Sequence, residues 1–234
     1  MKEGGFNFQK LIDDSKSTLL SPKAYFSSMA KEGGYIDPII KAAAYGIIAG
    51  LISLFWSVLG LKVVGATSSI SNIIIAPLYA LIGLFIGALI LLLISAICSG
   101  DTSYEANLRV AASLSLLFPI NAILWFTYGI NITFGSIISI VIVLYGIWLL
   151  FNSLVHALSC KEDIAKIVSI ILAIIPTISI LGSLVCYRAV TNVTDDVIEE
   201  SEKIMRELPN EQRKAIEEYR KMSEKLLEES NEKE

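Results

Sequence analysis

Five long apolar stretches, separated by short polar segments, dominate the pattern of hydrophobic and polar positions along the chain. A helix that crosses the hydrocarbon core of a bilayer needs about 20 predominantly apolar residues. A water-soluble fold does not require five apolar stretches of this length. The pattern therefore predicts an all-α, polytopic bundle of about five transmembrane helices. The predicted spans are residues 38–61, 73–99, 110–126, 135–157 and 164–190.

Composition supports the membrane interpretation and divides the chain. Apolar residues make up 54% of the 234 residues and charged residues 18%, whereas soluble domains average about a quarter charged residues. The first 194 residues hold 11 basic and 9 acidic residues, but the last 40 hold 8 basic and 14 acidic residues. We expect an N-terminal segment (1–37), a membrane domain (38–190) and an acidic helical tail (191–234).

The N-terminal segment has the pattern of two amphipathic helices. Ser21 and Pro22 predict the start of the second helix, which carries Tyr25, Phe26 and Met29 on one face. Such segments beside a membrane helix are typical of interfacial helices that lie on lipid headgroups. Packing against a neighbouring protein is the alternative. The apolar residues of the first helix are Phe6, Phe8, Leu11, Ile12 and Leu19.

Local signals predict how the spans begin and bend. Asp37 before Pro38 should cap the first span, and Thr102 with Glu105 matches a capping box for the third. Gly100 can end the second span.

Two spans contain an internal proline. The third span carries Pro119 and Asn121, which predict a kink and a polar contact with a neighbouring helix. The fifth span carries Pro176 and could be one kinked helix or a hairpin of two half-helices. The lack of turn residues around Pro176, apart from Thr177, favours a single helix.

The distribution of basic residues predicts the orientation, because cytoplasmic loops carry an excess of Lys and Arg. An N-terminus in the cytoplasm leaves only Lys62 in the outer loops. Five crossings would then place the tail outside, whereas a hairpin at Pro176 would return it to the cytoplasm. In a prokaryote the membrane would be the cell membrane. The inner basic residues are Lys2, Lys10, Lys16, Lys23, Lys31, Arg109, Lys161 and Lys166.

The acidic tail has helical periodicity of its own. Val197, Ser201, Ile204 and Leu208 follow alternating steps of four and three, before Pro209 interrupts the pattern. Asn210 could cap a second helix. Helices this short are marginal alone in water, so they should pack on each other, on the membrane domain, on a partner protein or on a second copy. Nothing in the chain indicates a nucleic-acid partner.

The chain offers few candidates for catalytic or metal-binding residues. No ionisable residue lies in the middle of any predicted span, although ion-coupled transporters, proton relays and intramembrane proteases depend on such groups. His156 is the only histidine, and Cys98, Cys160 and Cys186 show no CxxC spacing. We therefore expect no enzyme, and no catalytic, cofactor or metal site.

Small residues at four-residue spacing are the clearest feature inside the spans. Ala42, Gly46 and Gly50 form one such series, and Gly83 with Gly87 forms a GxxxG pair. In lipid these faces let helix backbones approach closely. The series predicts tight packing of the first two spans, either within the molecule or between copies.

Three features together resemble the Yip family of Ypt/Rab-interacting membrane proteins, in its prokaryotic form. They are a leucine-rich lead-in at residues 11–26, a small polar loop into the third span at residues 100–110 followed by Phe118 and Pro119, and five spans after a cytosolic N-terminus. The resemblance covers Phe8 to Val190. The family-like residues are Ser21, Pro22, Tyr25, Phe26, Gly100, Asp101 and Pro119.

The resemblance implies little about activity, because the prokaryotic members of the family have no settled one, and the two functional hypotheses rest on the residues themselves. Eukaryotic members of that family act in vesicle traffic, bind Rab-type GTPases and shape membranes, but their Asp-Leu-x-Gly-Pro-like signature is missing here. The first hypothesis is a non-enzymatic scaffold that organises membrane or recruits a partner. The second is a transporter or channel for a small neutral or lipid-like solute, with Asn121 and Asn152 on its path.

Overall fold

The computed structural model describes residues 7–59 and 72–209, together with residues 212, 216, 222 and 223. All regular structure in this part of the chain is helical, and the all-α prediction is confirmed. The chain divides into two compact units, Met1–Leu184 and Val185–Glu234. The helices are α1 (Phe8–Leu20), α2 (Pro22–Ser28), α3 (Ile36–Val58), α4 (Asn72–Ile97), α5 (Tyr104–Leu114), α6 (Leu117–Leu124), α7 (Phe126–Ile130), α8 (Ile132–His156) and α9 (Glu162–Glu207).

Five helical segments are long and apolar enough to cross a membrane, as the sequence predicts, and they place the protein in contact with lipid. Four of them are the single helices α3, α4, α8 and the first part of α9. The third, Tyr104–Ile130, consists of α5, α6 and α7 in succession. It begins six residues before its predicted start, because Tyr104 already lies in helix.

The third span is the centre of the bundle. In the most apolar 18-residue stretch of this span, 50% is buried within the protein, compared with 6% in the corresponding stretch of the fifth span. Its side chains meet those of α2, α3, α4 and α8 in one core cluster. The fully buried members include Phe26, Ala42, Leu84, Ala88, Leu108, Val110, Leu154 and Leu158. The isoleucine-rich face of the fifth span is left for lipid.

Proline acts differently in the two proline-containing spans. Pro119 is the third residue of α6, where a missing N–H leaves no helix hydrogen bond unmade, so it begins a new helix after the break at Ser115 and Leu116. Pro176 lies inside α9, which runs without interruption from Glu162 to Glu207. The single helix predicted for the fifth span is confirmed.

Two predicted helix caps are wrong. Ser103, not Thr102, caps α5 by accepting a hydrogen bond from the N–H of Ala106, while the Asp101 carboxylate accepts from the N–H of Ser103 at 2.9 Å. Glu105 does not close a capping box, because its carboxylate is bound to groups elsewhere. At the first span, α3 begins at Ile36, so Asp37 lies in its first turn rather than at its cap.

The end of α4 uses a different residue from the one predicted. Ser99 adopts the left-handed conformation that ends the helix, with φ of 57°. Gly100 is required for space instead, since a Cβ at this position would overlap the sulfur of Cys160 and lie 2.7 Å from the carbonyl oxygen of Leu158. The loop between α4 and α5 therefore contacts the loop between α8 and α9 directly.

The second unit contains the end of α9, which stops at Glu207 shortly before Pro209. The predicted second tail helix, which would start at Asn210, lies almost wholly outside the described residues. Phe6, which contributes to the N-terminal pattern, and Lys2 and Lys62, which contribute to the predicted orientation, also lie outside them.

Candidate functional site

A largely buried lysine joins the N-terminal helices to the membrane bundle. Lys41 lies on α3, within the first span, and only 14% of its side chain is exposed. Its ammonium contacts the Asp14 carboxylate at 3.1 Å and the Tyr25 hydroxyl at 2.8 Å, with the Ser113 hydroxyl at 3.4 Å. An ammonium has three N–H donors, so these acceptors use all of them. The charge is thus compensated where lipid would otherwise surround it.

Four helices supply this network, one residue each: Asp14 from α1, Tyr25 from α2, Lys41 from α3 and Ser113 from α5. The Tyr25 and Ser113 hydroxyls also lie 2.9 Å apart, and the Lys41 ammonium is 5.2 Å from the centroid of the Tyr25 ring. Contacts of one charge with several neighbours hold α1 and α2 in a defined position on the bundle.

Other contacts reinforce the attachment of α1. Its Ser15 hydroxyl lies 2.7 Å from the hydroxyl of Tyr45, which is 2% exposed and packs with Leu11 and Leu116. The carbonyl of Leu19 accepts a hydrogen bond of 2.6 Å from the hydroxyl of Tyr145 on α8.

The aromatic face of α2 is buried within the protein. Phe26 is 1% exposed and belongs to the central core cluster, with Tyr25 and Met29 packed against that cluster. The sequence placed this face on lipid headgroups, but a ring gains as much from close-packed helices as from lipid, and α5 and α8 are within reach. Phe8 and Leu20 remain exposed, at 58% and 81%. An interfacial location of α1 and α2 stays a prediction.

A second polar cluster fixes the connection from α2 to α3. Glu105 accepts hydrogen bonds from the N–H of Gly34 at 2.6 Å and from Arg109 at 3.3 Å, and Arg109 donates to the carbonyl of Gly34 at 2.8 Å. Gly34 has a φ of 91°, which favours glycine. Lys31 pairs with Asp101 at 3.5 Å. The chain between the N-terminal helices and the first span is therefore held to α5.

A cavity of about 550 Å³ lies between α1, α2, α3 and α5, and we name it the interfacial cavity. Its lining mixes charges of both signs with serine hydroxyls and small apolar side chains. Such a mixed lining can hold a ligand that has both polar and apolar parts. The charged lining residues are Lys10, Asp14, Asp37, Lys41 and Arg109, and the hydroxyls come from Ser17, Ser21, Tyr25, Ser28 and Ser113.

The family-like residues fall into three places. Ser21 and Tyr25 line the interfacial cavity, with Pro22 at the first position of α2 and Phe26 in the core behind it. Gly100 and Asp101 belong to the loop that contacts the α8–α9 loop, where the N–H of Asp101 donates to the carbonyl of Leu158 at 2.7 Å. Pro119 is buried at the start of α6.

The two asparagines proposed for a solute path have different surroundings. Asn121 is exposed and lines a shallow apolar groove of about 280 Å³ with Tyr79 and Trp125. Asn152 is 7% exposed and donates its amide N–H to the carbonyl of Trp148, on its own helix, at 2.8 Å. The second asparagine is thus engaged in a local helix contact.

The small residues of α3 and α4 differ in how closely they pack. A Cβ on Gly46 would lie 2.6 Å from the Cα of Pro77 and 2.8 Å from the Cβ of Ala80, so the backbones of α3 and α4 approach closely there. Ala42 and Gly50 are also buried. By contrast, the nearest atoms to a Cβ on Gly83 and Gly87 are 3.7 Å and 4.0 Å away, in Phe118 and Ala111. Whether these faces also serve contacts between copies stays a hypothesis.

The cysteines are free thiols, of which Cys98 and Cys160 are buried. Burial raises the pKa of the Cys160 thiol above its ordinary value, which keeps it protonated and weakly nucleophilic. Among the described residues, no group of three or more His, Cys, Asp or Glu side chains could hold a metal ion.

Lys41 is the site residue that the sequence reasoning missed. A signal was available, because the lysine lies only four residues inside the first predicted span, and an ammonium at that depth needs a partner or water.

Comparisons with known proteins identify the domain. Neither the curated proteins nor the solved structures contain a match to this chain. The sequence model of the Yip1 domain matches residues 16–184, well over half of the chain, from within α1 to the end of the first compact unit. The match includes the five spans almost entirely, together with Asp101, Lys41 and the family-like residues of α2. The chain therefore belongs to the Yip family of integral membrane proteins.

Proposed function

We propose that this Yip-family protein is a non-enzymatic scaffold that organises the bilayer around it. One observation carries the proposal: α1 and α2 are fastened to the membrane bundle, yet α1 and its junction with α2 still expose apolar and basic side chains. The fastening rests on the Lys41–Asp14 pair and on Phe26 in the core. We name α1 and α2 together the platform.

The exposed residues of the platform suit a bilayer surface. Phe8 and Leu20 present apolar side chains, while Lys16 and Lys23 are exposed on the same two helices. Apolar side chains that enter the headgroup region, with lysines that attract anionic lipids, are the two contributions that bind amphipathic helices to membranes.

Attachment to the bundle is what makes the platform able to act on the membrane. A helix on a loose linker can leave the bilayer, whereas one held by a salt bridge and a buried ring stays at a fixed depth beside the spans. The platform then adds protein volume near one surface of the bilayer only. Added volume expands that leaflet, so it favours bending with that surface on the convex side. We place this side in the cytoplasm, because of the basic residues of the N-terminal segment.

The acidic tail is proposed to recruit a partner protein or a second copy. In the second unit, α9 extends as far as Glu207, and Ile204 is exposed on it at 55%. An exposed apolar residue in a charged helix is a suitable contact for another helix.

Reconstitution of the purified protein into liposomes tests the scaffold function. Electron cryomicroscopy should show that the wild type narrows or tubulates vesicles, and that the double variant Phe8→Ser, Leu20→Ser does so much less. Ile130→Ser is the matched control, since it removes a similarly exposed apolar side chain (66% exposed) at the end of α7, away from the platform. Vesicles that keep the size and shape of empty liposomes with wild-type protein would refute the proposal.

A further inference from the structure

We propose that the interfacial cavity binds the headgroup of a phospholipid that carries both a phosphate and a primary ammonium. This inference goes beyond the scaffold function, because it concerns a specific lipid site and requires no change of membrane shape. The volume of about 550 Å³ falls within the range of about 300–1,000 Å³ that is usual for small-molecule sites.

The position of the cavity along the spans indicates a lipid. Lys41 and Ser113, which form its inner part, belong to the first and third spans. Lys10 and Ser17 belong to the non-spanning helix α1, and Ser21 lies between α1 and α2; these three residues form the outer part of the cavity. With α1 and α2 at the membrane surface, as the proposed function has them, the lining extends from membrane-spanning helix to interfacial helix, which is the depth at which headgroups join acyl chains. Met29, Pro38 and Ala112 supply the apolar surface that a glycerol backbone would contact.

The internal pairing of charges determines which groups remain for a ligand. Lys41 and Asp14 neutralise each other at 3.1 Å, and Arg109 is engaged by Glu105 and by the carbonyl of Gly34. These groups shape the cavity and have little capacity left for another ion.

Two opposite charges on the lining remain unpaired. Within the described part of the chain, neither the ammonium of Lys10 nor the carboxylate of Asp37 has a side-chain partner. The hydroxyl of Ser21 forms no capping bond, and its O–H is a donor that a ligand on the lining can use.

A zwitterionic headgroup uses both of the unpaired charges. Its phosphate would accept from Lys10 and from the serine hydroxyls of the outer part, and its ammonium would donate to Asp37. An anionic headgroup without an amine would leave Asp37 uncompensated beside its negative charge. A quaternary ammonium has no N–H to donate. The lining thus favours phosphatidylethanolamine-type lipids over phosphatidylglycerol and phosphatidylcholine.

Native mass spectrometry of the full chain in detergent tests the proposal with these three lipids, which should carry identical acyl chains. We expect phosphatidylethanolamine to bind most tightly. Lys10→Gln and Asp37→Asn should each weaken that binding by about tenfold, the usual scale for losing one charge-assisted contact. Asp37→Asn should also remove the preference over phosphatidylglycerol. Neither change breaks a side-chain contact in the described structure, so both variants should fold.

Matched controls and a soluble ligand complete the design. Lys161→Gln and Asp13→Asn remove exposed charges, from the α8–α9 loop and from α1, that do not line the cavity, and they should leave binding unchanged. Glycerophosphoethanolamine should compete poorly, because it lacks the acyl chains.

Equal binding of the three lipids, or no effect of the two cavity variants, would overturn the proposal. Full competition by the soluble headgroup would overturn the assignment to a lipid. Vesicle remodelling by the platform is measured separately and can succeed or fail independently.

Discussion

Gly46→Ala should separate α3 from α4 and destabilise the bundle. The new Cβ would lie 2.6 Å from the Cα of Pro77, whereas carbon atoms in contact prefer about 3.5–4.0 Å. The obstacle is backbone, which cannot rotate away as a flexible side chain can, so the helices must move apart by about 1 Å. Overpacking of this kind costs about 1–3 kcal/mol.

The variant also gains stability from one source. Replacing glycine by alanine inside a helix contributes about 0.5–1 kcal/mol. Gly83→Ala receives the same contribution on α4, but its nearest neighbour would be 3.7 Å away, an ordinary contact. Comparing the two variants therefore cancels the helix term. Gly46→Ala should be less stable than Gly83→Ala by about 2 kcal/mol.

Reversible unfolding in mixed micelles, with increasing sodium dodecyl sulfate, measures this difference. Light scattering on the same samples reports whether the oligomeric state changes. A Gly46→Ala protein as stable as Gly83→Ala would refute the close approach of α3 and α4. A changed oligomeric state with unchanged stability would assign the small-residue face to contacts between copies.

Three further predictions concern the core and the loops. Phe26→Ala should lower the unfolding free energy by about 3–5 kcal/mol, whereas Phe8→Ala, at an exposed position, should change it little. Gly100→Ala should lower the melting temperature measured by intrinsic fluorescence, because its Cβ would overlap the sulfur of Cys160; an unchanged value would contradict the loop contact. Because the folded-state pKa of Cys160 is raised, the unfolded chain loses this proton first as pH rises, so stability should fall above the ordinary thiol pKa. Cys160→Ala should lessen that alkaline fall in chemical-unfolding curves, and an unaltered pH profile would argue against it.

The spans could be predicted from the sequence because lipid imposes a simple rule. A membrane helix must be apolar over its whole length, so the pattern alone finds α3, α4, α8 and the first part of α9 within a few residues. The bounds of the third span are harder to predict from the sequence. A break at Ser115 and Leu116 divides this span before α6, and polar residues near Tyr104 disguise its start.

The arrangement of the platform could not be predicted in the same way. Amphipathic periodicity shows that α2 has an apolar face, but lipid and protein cover such a face equally well. The answer depends on Asp14 and Tyr25 meeting Lys41, which lies 27 and 16 residues further along the chain. Only the lysine itself, placed just inside a span, indicates that some partner is needed.

Local motifs failed where tertiary contacts competed with them. Thr102 and Glu105 have the spacing of a capping box, but Glu105 binds the N–H of Gly34 and the side chain of Arg109 instead. Similarly, Gly46 and Gly83 are equivalent by spacing. Their neighbours, a backbone in one case and the end of a phenylalanine ring in the other, make them different.

A double-mutant cycle between Asp14 and Lys41 tests most directly that the N-terminal helices are fastened to the membrane bundle. The unfolding free energies of wild type, Asp14→Asn, Lys41→Met and the double variant would be measured in mixed micelles. The 3.1 Å ion pair predicts a coupling energy of about 1 kcal/mol or more, since Lys41 is largely buried. Effects of the two substitutions that add within about 0.3 kcal/mol would show that the residues do not meet.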